Sequence, residues 1–199
     1  MNSLFSEPVH LNLPDSDISY YPNFLASDFA LEYFEVFRKT ISWQQDDIKV
    51  FGKVYAQPRL TALYADNDKP YSYSGITMQP HLFTKELLEL KKLVEEKSNT
   101  SYTTCLLNLY RNGKDSNGWH SDNEKELGEN PSIASISLGQ KRVFHLKHRT
   151  DKRLKHKMEL ESGSLLIMSG ETQTHWLHQI PKTAKPINER INLTFRTII

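Results

Sequence analysis

Arg190-Ile191-Asn192-Leu193-Thr194-Phe195-Arg196 alternates between polar and apolar side chains without a break. A period of two is that of an extended strand, whose successive side chains point to opposite faces. One face of this strand is polar and cationic and the other apolar, so it belongs to a sheet with an apolar side to bury. Further out from it, Tyr102–Tyr110, Ile133–Leu138, Val143–Lys147, Ser164–Met168 and Thr174–Gln179 are short segments rich in β-branched and aromatic residues, separated by Gly, Asn, Asp and Pro. With Arg190–Thr197 they predict a run of strands after Thr100. Upstream, residues Ser27 to Thr40 carry Phe29, Leu31, Tyr33, Phe34, Phe37 and Ile41 at three- and four-residue spacing behind a Ser27 or Asp28 cap. A second helix is expected from about Thr84 to Lys97, with Leu87, Leu88, Leu90, Leu93 and Val94 inward and Thr84 as its cap. The expected fold class is α+β, mainly β: a β-sandwich or jelly roll braced on one face by N-terminal helices.

The 199 residues suit one domain, and no internal repeat or Gly/Ser-rich linker divides them. The single cysteine, Cys105, sits in an apolar run without a partner and reads as a buried thiol in a reducing compartment. Met1 to Leu13 include Glu7 and lack a continuous apolar core, unlike a signal peptide, and no run approaches membrane-spanning length. An intracellular monomer is expected, with no membrane partner. The 25 Lys+Arg against 24 Asp+Glu leave a net charge of +1, so charge matters here through its placement.

His120 and Asp122 flank Ser121, and on an extended segment both side chains point the same way. A third ligand, a histidine from elsewhere, would complete a facial triad of two histidines and one carboxylate, the arrangement that leaves coordination positions open on non-haem iron(II). Thr174-His175-Trp176-Leu177-His178 offers two histidines; read as a strand, it turns them to opposite sides, and His178 is the choice. An isolated His-x-Asp is weak on its own. It gains weight from Arg190 and Arg196, two arginines on one face of a strand, which are costly to bury without anions. A dicarboxylate supplies such anions, and the planar guanidinium fork matches a carboxylate through two parallel hydrogen bonds.

In order and spacing, His120-Ser121-Asp122, His178 and Arg190–Arg196 resemble the signature of the AlkB family of Fe(II)/2-oxoglutarate-dependent nucleic-acid dioxygenases. The resemblance extends from about Val50 to Thr197 and includes Asn108–Asn112, Ile133–Gly139 and Gly163–Met168. It is stronger toward the DNA-repair homologues than toward members acting on RNA or protein. It implies a double-stranded β-helix, with Fe(II), 2-oxoglutarate and O₂ as cofactor and cosubstrates. His120, Asp122 and His178 would bind the metal. Arg190 would grip the far carboxylate of 2-oxoglutarate, with Asn108, Tyr110, Asn192, Thr194 and Arg196 completing its pocket. The resemblance also favours His178 over His175. The implied reaction is oxidative demethylation of 1-methyladenine or 3-methylcytosine type lesions in DNA repair, releasing formaldehyde; the alternative is a same-fold dioxygenase hydroxylating RNA or protein.

Val50-Phe51-Gly52-Lys53, followed by Pro58-Arg59, is similar to the finger loop that some members push into duplex DNA, and Tyr71-Ser72-Tyr73-Ser74-Gly75 resembles their base-gripping lid, so a nucleotide-recognition lid is expected at about 50–75. Phe51 would wedge into the stack and Tyr73 would stack on the flipped base beside Tyr71, with Glu124 nearby. Asn123 stands where duplex-repairing members often carry a second carboxylate. Lys147, Arg149, Lys152, Arg153, Lys155 and Lys157 crowd into eleven residues, and on an inter-strand loop they would give phosphate contacts, with Lys147, Arg149, Lys152 and Arg153 the main candidates. The expected partner is alkylated DNA, in the cytoplasm of a bacterium or the nucleus of a eukaryote.

Overall fold

In the computed structural model, which describes residues 7–50, 53–68, 71–73 and 76–199, the chain runs in this order: β1 (Val9–His10), β2 (Asp17–Tyr21), α1 (Ser27–Thr40), β3 (Asp47–Val50), β4 (Lys53–Ala56), β5 (Leu60–Ala65), β6 (Tyr71–Tyr73), β7 (Ile76–Met78), β8 (His81–Leu82), α2 (Lys85–Ser98), β9 (Thr104–Tyr110), β10 (Asn117–His120), β11 (Ile133–Gly139), β12 (Arg142–His148), β13 (Lys155–Leu160), β14 (Ser164–Ser169), α3 (Thr172–His175), β15 (Trp176–Ile180) and β16 (Arg190–Arg196). Eight strands form a larger sheet in the order β1-β2-β14-β11-β16-β9-β5-β8, and four form a smaller one, β10-β15-β12-β13. β16 lies inside the larger sheet, and every one of its residues is buried.

That burial follows from its alternation. Ile191, Leu193 and Phe195 point outward, where α1 and α2 cover them with Ala30, Phe37, Leu87, Leu90 and Val94. Each large apolar side chain fully withdrawn from water contributes roughly 1.5–3 kcal/mol, so this layer is what holds the helices to the sheet. The opposite face looks between the sheets. There a second core, including Ile18, Tyr20, Ile133, Phe144, Leu146, Leu166, Met168, Trp176 and Ile180, packs the larger sheet on the smaller. The jelly roll braced by helices is the observed architecture, and Cys105 is the expected buried thiol. Among the described residues, no helix is long and apolar enough to cross a membrane.

Several local expectations are corrected. α1 has the expected span, but Ala26 stands at its N-cap with no side-chain cap. Docking selects Ala30 and Phe37, with Phe34 partly covered, as its inner stripe and leaves Phe29 and Leu31 exposed. Thr84 does cap α2, its Oγ1 accepting the Leu87 N–H at 3.3 Å, while Leu88 and Leu93 face out. Half the strands precede Thr100. β5 escapes a search for alternation because its residues are buried on both faces and form an apolar run. β13 escapes because Lys155-His156-Lys157 mark it as a charged edge. The expected strand from Thr174 starts at Trp176, since Thr172–His175 make a helical turn.

Candidate active site

The two sheets bring together residues that lie far apart in sequence. β10 pairs with β15 in a register that sets His120 opposite His178. Their rings meet edge to face with centroids 4.2 Å apart, and Asp122, just past the end of β10, sets Oδ2 3.8 Å from His178 Nε2. The His120 tautomer is fixed by its neighbour. Gly118 O lies 2.7 Å from Nδ1 and can only accept, so Nδ1 carries the proton and Nε2, 3.1 Å from Asn117 Nδ2, keeps its lone pair. Burial, then the charge of nearby His120, takes His178 down to about 3, and burial also lowers His120. Burial of Asp122 works the other way, but the charge and hydrogen bond of Arg196 together with the two neighbouring histidines outweigh it and hold the carboxyl at about 2. Two neutral imidazoles and an ionised carboxylate thus converge at neutral pH, the protonation a metal requires.

Asp122 is itself held from two sides. Arg196 Nη2 donates to its Oδ1 at 2.7 Å, leaving Oδ2 toward His178, and its own N–H donates to Gln173 Oε1 at 2.9 Å. Gln173 comes from α3, so the turn that displaced the expected strand anchors the metal-site loop.

The rest of the pocket is the polar face of the larger sheet. Pairing of β16 with β9 sets Arg190 opposite Tyr110 and Asn192 opposite Asn108, while pairing with β11 sets Asn192 opposite Ser137 and Thr194 opposite Ser135. At the end of β11, Gly139 has φ of 81°, and a Cβ there would stand 2.7 Å from Glu189 O, so glycine lets β16 begin where Arg190 enters the interior. Arg190 is 1 % exposed, with Nη2 donating to Ser137 Oγ at 2.8 Å and its carbon centre 5.3 Å from the Tyr110 ring centroid. Its Nε and Nη1 are buried without a hydrogen-bond partner, and burial pulls its pKa down to about 10. A buried guanidinium with two unused donors is a site for an anion, and a carboxylate fits its fork. Asn192 Nδ2 is engaged by Ser135 Oγ and Ile136 O, and Thr194 donates to Asn192 Oδ1. Phe144, Leu160, Leu166, Met168 and Ile180 form the apolar wall of the same pocket.

The nucleic-acid assignments fare differently. Arg59 is buried in this pocket: Nε donates to Asn108 Oδ1 at 2.7 Å and Nη1 to Ser116 O at 3.2 Å, so it cannot serve an outer finger. β3 and β4 do form a hairpin, with Val50 paired to Lys53. Lys53 on it is exposed, and Phe51 and Gly52 lie outside the described residues. Tyr71 and Tyr73 fall in β6, paired with β7. The Glu124 carboxyl is raised by burial and then by the Asp122 charge, and its Oε2 has no hydrogen-bond partner. The basic stretch is two strands and a turn rather than a loop. Lys147 lies 4.3 Å from the Trp119 ring centroid, Lys152 is exposed, Arg153 pairs with Asp151 at 2.7 Å, and Arg149 donates to Ser121 Oγ.

His175 lies off the site, stacked on His148 with centroids 5.7 Å apart. With Asp15 these two bring ligand-type atoms within 4.8 Å of one another. His148 Nδ1, however, accepts the Asp151 N–H at 3.1 Å, so its proton sits on Nε2, facing Asp15 Oδ2 at 3.3 Å. A metal on that nitrogen would require an imidazolate, and the group reads as a histidine–carboxylate contact. Ser135, Ser137, Asn117 and Gln173 were missed in the sequence. Ile133-Ala134-Ser135-Ile136-Ser137-Leu138 does carry a signal for the two serines, a polar residue at every second position.

The model of the 2OG-Fe(II) oxygenase superfamily matches residues 17–196. The chain belongs to that superfamily, among the AlkB homologues. It is 40% identical over 197 residues to alpha-ketoglutarate-dependent dioxygenase alkB homolog 3 of Bos taurus, covering 92% of this chain and 66% of that protein. It is 33% identical over 201 residues to DNA oxidative demethylase ALKBH2 of Homo sapiens, covering 96% and 76%. The chain thus spans just under two thirds of the length of the alkB homolog 3 relatives it matches. The solved structure of OsALKBH1 shares the fold, with a TM-score of 0.66 at 19% identity, covering 96% of this chain and all of that one. The superfamily is named for Fe(II) and 2-oxoglutarate, and the chemistry of His120, Asp122, His178 and Arg190 fits the two.

Proposed function

We propose that this chain is an oxidative demethylase of alkylated bases that acts in DNA repair, and that residues 1–199 work as one oxygenase domain with a nucleotide-recognition lid near 50–75. The observation that carries the oxygenase reading is Arg190, a buried cation with two unused donors in one pocket with His120, Asp122 and His178. The nucleic-acid reading is supported by the relatives named as DNA oxidative demethylases.

In this reading His120 Nε2, Asp122 Oδ2 and His178 Nε2 hold iron(II), and Arg190 clamps the far carboxylate of 2-oxoglutarate. Asn108, Tyr110, Asn192 and Thr194 shape that pocket, and Arg196 serves it through Asp122. When bound, iron(II) and 2-oxoglutarate supply with O₂ the oxidation that leaves succinate, CO₂ and a hydroxylated methyl, which departs as formaldehyde. The chain's residues position the partners and exclude water: Phe144, Leu166 and Met168 keep the pocket's far wall apolar, and the Gly118 carbonyl orients His120 for its ligand role. Tyr73 and Tyr71 stack on the extruded base, and Glu124 favours the cation that ring alkylation creates. Phe51, Gly52 and Lys53 serve duplex recognition. Lys152, exposed on the turn after β12, meets the phosphates. The enzyme works as a monomer wherever the cell keeps its DNA, in bacterial cytoplasm or a eukaryotic nucleus.

The test is a panel of oligonucleotides carrying 1-methyladenine or 3-methylcytosine, single and double stranded, assayed for formaldehyde with iron(II) and 2-oxoglutarate. Release from methylated DNA supports the reading; succinate release that responds only to RNA or peptide substrates would replace it with a hydroxylase of the same fold.

A further inference from the structure

The ligand residues come from two separate parts of the chain: His120 ends β10, with Asp122 just past it, and His178 lies in β15, which follows α3; β10 and β15 pair in the smaller sheet. β12 lies on the far side of β15 from β10. Just past the end of β12, Arg149 touches both segments. Its main-chain N–H donates at 2.8 Å to the carbonyl of His175, the last residue of α3 and the one directly before the strand that bears His178. Its guanidinium reaches over β15, Nη2 donating to Ser121 Oγ, and Ser121 in turn donates to Asn123 Oδ1 at 3.1 Å. Ser121 stands between His120 and Asp122 and is buried. Two residues earlier, Lys147 makes a parallel reach to the Trp119 ring, so two cations of the basic stretch are turned toward the metal-site segment.

We propose that Arg149 is a positioning residue for the metal centre: it ties the His120–Asp122 loop to the strand bearing His178, and is not a free phosphate contact. The inference rests on reading His120, Asp122 and His178 as the iron ligands. The physical ground is that Asp122 lies beyond the end of β10, where no strand pairing holds the backbone, so its place depends on side-chain anchors. Arg196 holds its carboxylate and Gln173 its N–H, and Arg149 holds the residue between the two ligands. Partners outside the ligand set commonly change metal affinity by about 10–100-fold when removed.

The experiment uses the full chain without nucleic acid and titrates Mn(II), read by the loss of the free-ion electron paramagnetic resonance signal. Arg149→Ala and Ser121→Ala are each expected to raise the Mn(II) dissociation constant by about tenfold or more. The double variant should be no worse than the weaker-binding single, because both remove one interaction, and Arg149→Lys should recover part of the loss. His178→Ala serves as the reference: if it binds Mn(II) normally, the ligand reading itself fails. If His178→Ala loses the metal while Arg149→Ala binds it as the native protein does, the proposal is overturned. That holds whether Arg149→Ala then proves to weaken nucleic-acid binding with a shallower salt dependence, as a phosphate contact would, or only to lower the melting temperature.

Discussion

Replacing Arg190 with methionine should move stability and cosubstrate binding in opposite directions. Arg190 is fully enclosed and remains charged at neutral pH, although burial takes its pKa from 12.5 to about 10. At 1.36 kcal/mol for each pKa unit, that corresponds to roughly 3 kcal/mol held against the charged form. Against this stand the hydrogen bond to Ser137, about 1 kcal/mol, and the contact with the Tyr110 ring, about 0.5–1 kcal/mol. A side chain of similar length without charge should therefore stabilise the cofactor-free protein by about 1–2 kcal/mol, a rise in melting temperature of roughly 2–8 °C for a chain of this size. Binding of 2-oxoglutarate should lose about 2–5 kcal/mol, the usual cost of removing one partner from a buried charged pair, which is about 30-fold or more in its dissociation constant. Thermal melts with and without 2-oxoglutarate and Mn(II), together with calorimetric titration, read both quantities. A variant that melts lower than the native protein and binds 2-oxoglutarate as tightly would refute the reasoning, for it would mean that Arg190 is satisfied by the protein alone.

His120→Ala, Asp122→Ala and His178→Ala should each lose stoichiometric Mn(II) binding and turnover, whereas His175→Ala, off the site, should keep both; metal content by mass spectrometry decides. Lowering the pH should destabilise the metal-free protein, because His178 is held at about 3 in the fold and takes a proton near 6.5 when unfolded. The unfolded state binds the extra proton throughout that window, so stability falls as pH drops from 6.5 toward 3, by about 2 kcal/mol at pH 5; denaturant melts at pH 7 and pH 5 should show a clearly smaller loss in His178→Gln, where only the lowered His120 remains, than in the native protein. Arg59→Ala should raise the 2-oxoglutarate KM while leaving the salt dependence of nucleic-acid binding unchanged, and a shallower salt slope would return Arg59 to the finger. Phe51→Ala should slow repair of a methylated duplex more than repair of the same lesion in a single strand, since only the duplex must be unstacked; equal losses on both, with a lowered melting temperature, would assign Phe51 to packing.

β16 of the larger sheet and the polar row of the pocket were legible in the sequence because a strand buried on two chemically different faces writes a period of two, whereas the inner strand β5, apolar on both, was not. Arg190, Asn192, Thr194 and Arg196 had to share a side, and the register with β9 and β11 only chose their neighbours. The spacing of His120 and Asp122 was equally local. Other features were decided by tertiary structure alone. Arg59 looked like part of a surface finger, and only the pairing of β5 with β9 draws it inward to Asn108. His175 and His178 were read as neighbours on one strand, until the α3 turn, held by Gln173 on the Asp122 loop, set them on different elements. Arg149 and Lys147 read as free cations in a basic run, because nothing local to residues 147–149 reveals that β12 lies one strand away from β10. Local periodicity records which way a side chain points; which charge or carbonyl it meets is a property of strand order, and strand order is settled by long-range packing.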